Sequence, residues 1–149
     1  MNIYAEMLKY FVFTIEDVNR YYNNMNSAFT ALRRLIKSGK AKKIRANLYT
    51  CISLETGSPV ANRFQIASFI NETSYISHHT AMEYYGISDQ VYYDVYVSSN
   101  QRFSDFEFDG YYYHFIRSRI NEGIITPEFS GGIKISDKER TLLDCIKDM

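Results

Sequence analysis

The spacing of apolar residues changes at Gly39, from a helical period to that of two short strands. Before it, "NNMNSAFTALRRLIKSG" has the period of an amphipathic helix. Met25, Ala28, Phe29, Leu32, Leu35 and Ile36 fall on one face, and Ser27, Thr30, Arg33, Arg34 and Lys37 on the other. Asn26 or Ser27 is expected to cap its start, and Gly39 stands where a helix end takes a left-handed residue. After it, "KAKKIRANLYTCI" reads as two short strands around a turn at Ala46–Asn47, with Ile44 and Leu48 pointing back toward the helices. Upstream, Ile3, Met7, Leu8 and Phe11 have helical spacing, and Thr14 with Asp17 three residues later marks the start of a second helix. Three helices followed by a hairpin is the plan of a winged helix-turn-helix, expected over residues 1–54.

Charge supports a role for that plan. The 149 residues carry 17 Lys/Arg and 17 Asp/Glu, yet residues 31–50 hold Arg33, Arg34, Lys37, Lys40, Lys42, Lys43 and Arg45 and no acid. The surplus of cations before residue 53 is matched by a surplus of acids after it, a pattern that points to one half meeting a polyanion. A helix fits the major groove of DNA, and cations on an adjoining hairpin neutralise phosphates and release counterions. The expected DNA contacts are Ser27, Thr30, Arg33, Arg34 and Lys37 on the helix, with Lys42, Lys43 and Arg45 on the hairpin. Acids among them would repel the backbone, which accounts for their absence.

"TGSP" at 56–59 is the most linker-like stretch. Beyond it, residues 59–149 read as a small α+β domain with a mostly antiparallel sheet and helices at both ends. "VANRFQIASFI" is expected to be a helix with Val60, Phe64, Ile66 or Ala67, and Phe69 or Ile70 inward; "SYIS" a strand; "HHTAMEYYG" a helix stopped by Gly86; "VYYDVYVSS" a strand. "RFSDFEFDGYYYHFIRS" is a hairpin turning at Asp109–Gly110, and "GGIKIS" a further strand. In "SDKERTLLDCIKDM", Ser136 and Glu139 have capping-box spacing, and Leu142, Leu143 and Ile146 mark the expected buried face. The Arg140–Asp144 spacing suits a helix-stabilising pair.

Several chemistries find no support. No apolar run approaches the roughly 20 residues of a membrane helix, and the N-terminus does not read as a signal peptide. Cys51 and Cys145 are expected to be reduced and mostly buried, as in a cytoplasmic protein. His78 and His79 point about 100° apart on a helix and His114 lies elsewhere, so no metal or other cofactor is expected. Asp105, Glu107 and Asp109 alternate along a strand, which usually marks its solvent face; a metal-dependent nuclease using them is one alternative reading. Another is a protein-interaction module that does not bind DNA.

The order of motifs resembles the AbiEi-like antitoxins of type IV toxin–antitoxin (abortive infection) systems. The similarity rests on Leu48–Tyr49 at the end of the basic segment, on Ile76, Ser77, Ala81, Met82, Tyr85, Gly86 and Ile87, and on Asp137, Glu139, Arg140, Thr141, Leu142, Leu143 and Asp144. It spans nearly the whole chain, and the last group is the most specific. Members of that family usually continue past this helix, so the resemblance implies a second domain shortened at its C-terminal end. It also implies a non-enzymatic bacterial repressor that binds inverted repeats in its own promoter. The second domain would counter a nucleotidyltransferase-like toxin without a stable complex.

Overall fold

The computed structural model describes residues 2–87, 92–118 and 122–147. They form six helices and two sheets, divided into two compact units, Met1–Asn62 and Arg63–Met149.

The first unit contains helices α1 (Ile3–Met7), α2 (Ile15–Tyr22) and α3 (Met25–Lys37), followed by strands β1 (Ala41–Arg45) and β2 (Leu48–Cys51). Asn2 caps α1 through its side chain, which accepts from the Tyr4 and Ala5 amides. Asp17 closes the start of α2 by accepting from the Thr14 amide and hydroxyl at 2.9 and 3.2 Å. Phe13, between α1 and α2, exchanges two backbone hydrogen bonds with Tyr49, so β2 is flanked on one side by β1 and on the other by this single bridge. Tyr4, Met7, Phe13, Val18, Leu32 and Leu35 centre the core.

Three expectations change here. Asn24 caps α3, accepting from the Ser27 amide, in place of Asn26 or Ser27. Asn23 takes the left-handed conformation at φ 53° and ends α2, so the α2–α3 turn closes within two residues. The inward stripe of α3 is Ala28, Ala31, Leu32 and Leu35, while Met25, Phe29 and Ile36 are exposed, so the packed face is rotated toward Ala31 from the one expected. Leu8 and Phe11 also lie outside α1 and are exposed. Gly39 has φ 76°, and the amides of Gly39 and Lys40 return to the carbonyls of Ile36 and Leu35, the pattern of a Schellman stop. Residues 53–60 fold back on the first unit, with Ile52 bridging Pro59 and the Val60 amide donating to the Cys51 carbonyl.

The second unit holds α4 (Arg63–Ser68), β3 (Tyr75–Ile76), α5 (His78–Tyr84), β4 (Asp94–Ser99), β5 (Phe106–Phe108), β6 (Tyr111–Arg117), β7 (Ile124–Ile125), β8 (Ile135–Ser136) and α6 (Lys138–Lys147). Its sheet runs β5-β6-β4-β3-β8-β7, antiparallel except for the parallel pairs β4–β6 and β3–β8. Asp109 and Gly110, both left-handed, turn the β5–β6 hairpin. Val91, expected to open β4, lies outside the described residues.

Helix α4 is shorter than expected, and of Phe69 and Ile70, one of them expected inward, Phe69 is exposed and Ile70 half-buried. In α6, Leu142, Leu143 and Ile146 face outward and Thr141 and Asp144 are buried, the reverse of the apolar pattern. The reason is local: α6 packs its start on the polar end of β8, where the Thr141 and Ser136 hydroxyls lie 2.7 Å apart. Asp137, not Ser136, accepts from the Arg140 amide at 2.8 Å and so closes the helix start. Among the described residues, no helix is long and apolar enough to cross a membrane.

Candidate nucleic-acid interface

Burial of Ala28, Ala31, Leu32 and Leu35 fixes which side chains α3 turns outward. Asn26, Thr30, Arg33 and Lys37 recur at spacings of four, three and four, so they form one exposed stripe opposite the buried Ala28, Leu32 and Leu35. Ser27 and Arg34 lie exposed on one flank, and Phe29 and Ile36 on the other. All five expected helix contacts are therefore at the surface. The Thr30 hydroxyl already donates to the Asn26 carbonyl at 2.9 Å, which leaves it an acceptor toward any ligand. The Arg33 guanidinium lies 5.8 Å from the centre of the Phe29 ring.

Arg34 forms the wall shared by two open grooves. One, of about 370 Å³, is lined by Tyr22, Asn26, Ser27, Thr30, Ala31 and Arg34. The other, of about 470 Å³, also includes Tyr4 and Lys40.

The hairpin is held by its turn. Asn47 adopts φ 51°, a conformation Asn tolerates better than most residues. Its Oδ1 accepts from the Ile15 amide at 2.9 Å, and its Nδ2 donates to Glu16 at 3.0 Å. The Asn47 bond to Glu16 holds that carboxyl below its ordinary range. One residue thus fixes the hairpin tip and supplies an acceptor to the first turn of α2. A register shift between Lys43 and Arg45 breaks the alternation of β1, and Lys42 and Lys43 are both exposed although consecutive. Arg45 is half-buried, with Ile44 and Leu48 buried as expected.

The electrostatics follow from composition. Residues 1–62 carry nine Lys/Arg against four Asp/Glu. Within the described residues, Lys9 pairs with Glu6 and Arg20 with Asp17, whereas Arg33, Arg34, Lys37 and Lys43 form no ion pair. Cys51 is buried, which pushes its thiol up to about 11 and keeps it protonated near neutral pH.

In the second unit, the acids singled out from the sequence serve local structure. Asp105 accepts from the Phe115 amide at 2.8 Å and sits 3.2 Å from His114, while Glu107 accepts from the Gly110 amide in the hairpin turn. His78 contacts the Ser77 hydroxyl at 2.9 Å, and His79 lies against Tyr92 and Tyr96. Among the described residues, no group of three or more His, Cys, Asp and Glu side chains is placed to hold a metal ion.

Asn26 and Phe29 were absent from the expected contacts, the first taken as a possible cap and the second as core. The doubled "NN" at 23–24 carried the missing signal, because a left-handed helix stop followed at once by a cap moves the helix start two residues upstream. No protein-family model matches the sequence, and no curated protein matches it.

Proposed function

We propose that residues 2–62 are a winged helix-turn-helix that binds double-stranded DNA, with α3 in the major groove and the β1–β2 hairpin as the wing against phosphates. The observation that carries this reading is the set Arg33, Arg34, Lys37 and Lys43 on one helix and the hairpin beside it, which form no ion pair among the described residues although Lys9 and Arg20 in the same unit do. The Phe13–Tyr49 bridge supports it too, since backbone pairing on the far side of β2 steadies the hairpin. With the resemblance to AbiEi-like antitoxins, the chain is then a non-enzymatic, cytoplasmic regulator of its own promoter. Its second unit would act against a nucleotidyltransferase-like toxin. Inverted repeats require two copies on one duplex.

The test is an anisotropy titration against the DNA upstream of its own gene and a scrambled duplex, at two salt concentrations. Sequence-specific, salt-dependent binding is expected. Arg34→Ala should cost roughly 1–3 kcal/mol and relax specificity if that residue reads a base. Lys43→Ala should weaken binding to all duplexes alike and lower the salt slope by about one unit. Absence of binding at low salt would reject the reading. The exposed Leu142, Leu143 and Ile146 on α6 favour a second one, a protein-interaction module, which would then lead.

A further inference from the structure

We propose that α3 reads adjacent A·T base pairs, Asn26 through the adenine edge and Phe29 through the thymine methyl group. This rests on the DNA-binding reading above and adds what the site recognises.

The starting point is the position of the cap. Because Asn24 satisfies the helix start, Asn26 is released from that task and stands exposed on the outward stripe. Its carboxamide makes no hydrogen bond to any described residue; only its backbone carbonyl is engaged, by Thr30. A carboxamide presents one acceptor and one donor side by side. Adenine offers the complement in the major groove, a donor at N6 and an acceptor at N7, whereas guanine offers two acceptors there.

Phe29 is the second observation. Beside the polar stripe of Asn26, Thr30, Arg33 and Lys37, it exposes a phenyl ring on the flank it shares with Ile36. The C5 methyl of thymine is the one apolar group that bases present in the major groove. Residues three apart on a helix have Cβ atoms about 5–6 Å apart, which places the two side chains over neighbouring base pairs stacked about 3.4 Å apart. Arg33, one turn beyond Phe29 and lying over its ring, is steadied by the same side chain. A guanine edge or a phosphate next to the A·T pairs is within the reach of that guanidinium.

The experiment uses the full chain and a random duplex pool. The enriched duplex is then made in three forms: unmodified, with uracil replacing thymine, and with 7-deazaadenine replacing adenine. Wild type is expected to lose about tenfold or more on each replacement at the contacted pair. Phe29→Ala should bind the thymine and uracil duplexes equally while still losing affinity for 7-deazaadenine, and Asn26→Ala should do the converse. Both residues are exposed, so both variants are expected to melt with wild type. If one sequence is enriched and bound but neither base change matters, this inference falls and the DNA-binding reading stands. If DNA is bound with no sequence enriched, this inference alone falls; if no duplex is bound at low salt, both fall together.

Discussion

In the second unit a positive charge has a local use. Arg63 lies 2.6 Å from Glu83 and against the rings of Phe64 and Tyr111. Arg140 sits 3.1 Å from Asp144, Lys134 donates to two backbone carbonyls, and Arg117 donates to the Asn100 carbonyl. In the first unit Arg33, Arg34, Lys37 and Lys43 form no ion pair among the described residues, and Arg33 lies over the neighbouring Phe29 ring. On the DNA-binding reading those four are left for a partner outside the chain, whereas Arg63, Arg117, Lys134 and Arg140 are tied to the fold.

The largest expected effect tests that division directly. Glu83 is mostly buried, and its second oxygen and the Arg63 Nε already lack hydrogen-bond partners. Glu83→Gln leaves the guanidinium buried without its countercharge and should destabilise the second unit by about 3 kcal/mol. Arg34→Ala should leave urea stability of the first unit within about 0.5 kcal/mol of wild type, the range of ordinary surface changes. Comparable losses for the two would mean that the first-unit cations are structural after all.

Next in size is the hairpin turn. Asn47→Ala forfeits the bonds to Ile15 and Glu16 and places a Cβ-bearing residue at positive φ without local compensation. A loss of about 2 kcal/mol is expected, with Asn47→Gly recovering about 1 kcal/mol of it. A DNA affinity reduced in both variants, and not in proportion to stability, would locate the effect in the aim of Lys42 and Lys43. Unchanged DNA affinity in both would remove the hairpin from the interface.

How much of this was legible in the sequence divides along the same line. The helix stop at Gly39, the turn at Ala46–Asn47 and the Asp109–Gly110 hairpin were readable, because each depends on a backbone conformation that few residues adopt. The cap at Asn24 was not, because three asparagines and a serine between 23 and 27 all suit that position. The direction of α6 was not, because a helix that packs on hydroxyls leaves no apolar signature: Thr141 and Asp144 turn inward to Ser136 and Arg140. The parallel pairs β4–β6 and β3–β8 join segments with intervening strands, and no local pattern encodes them. Pattern reading succeeds where a residue type dictates a backbone conformation and fails where burial is polar or strands pair at a distance.

The smallest effect separates the units by pH. All three histidines lie beyond residue 62. His114 bridges Asp94 on β4, at 2.7 Å, and Asp105 before β5, at 3.2 Å. Burial by itself would lower its pKa, but the hydrogen bonds to Asp94 and Asp105 outweigh that and raise it above the ordinary 6.5. The folded chain therefore holds the proton more tightly than the unfolded chain. The resulting stability is fully present below about pH 6.5 and is lost as pH rises through the higher folded value. The group is about one-third exposed, so solvent limits the contribution to less than about 1 kcal/mol. Urea midpoints of wild type should fall slightly between pH 6 and 8, and those of His114→Gln should fall less. First-unit stability, followed through the Leu32 and Leu35 amide NMR signals in urea, should stay flat over that range. An equal slope in His114→Gln and wild type would show that the two carboxylates hold the imidazole without favouring its charged form.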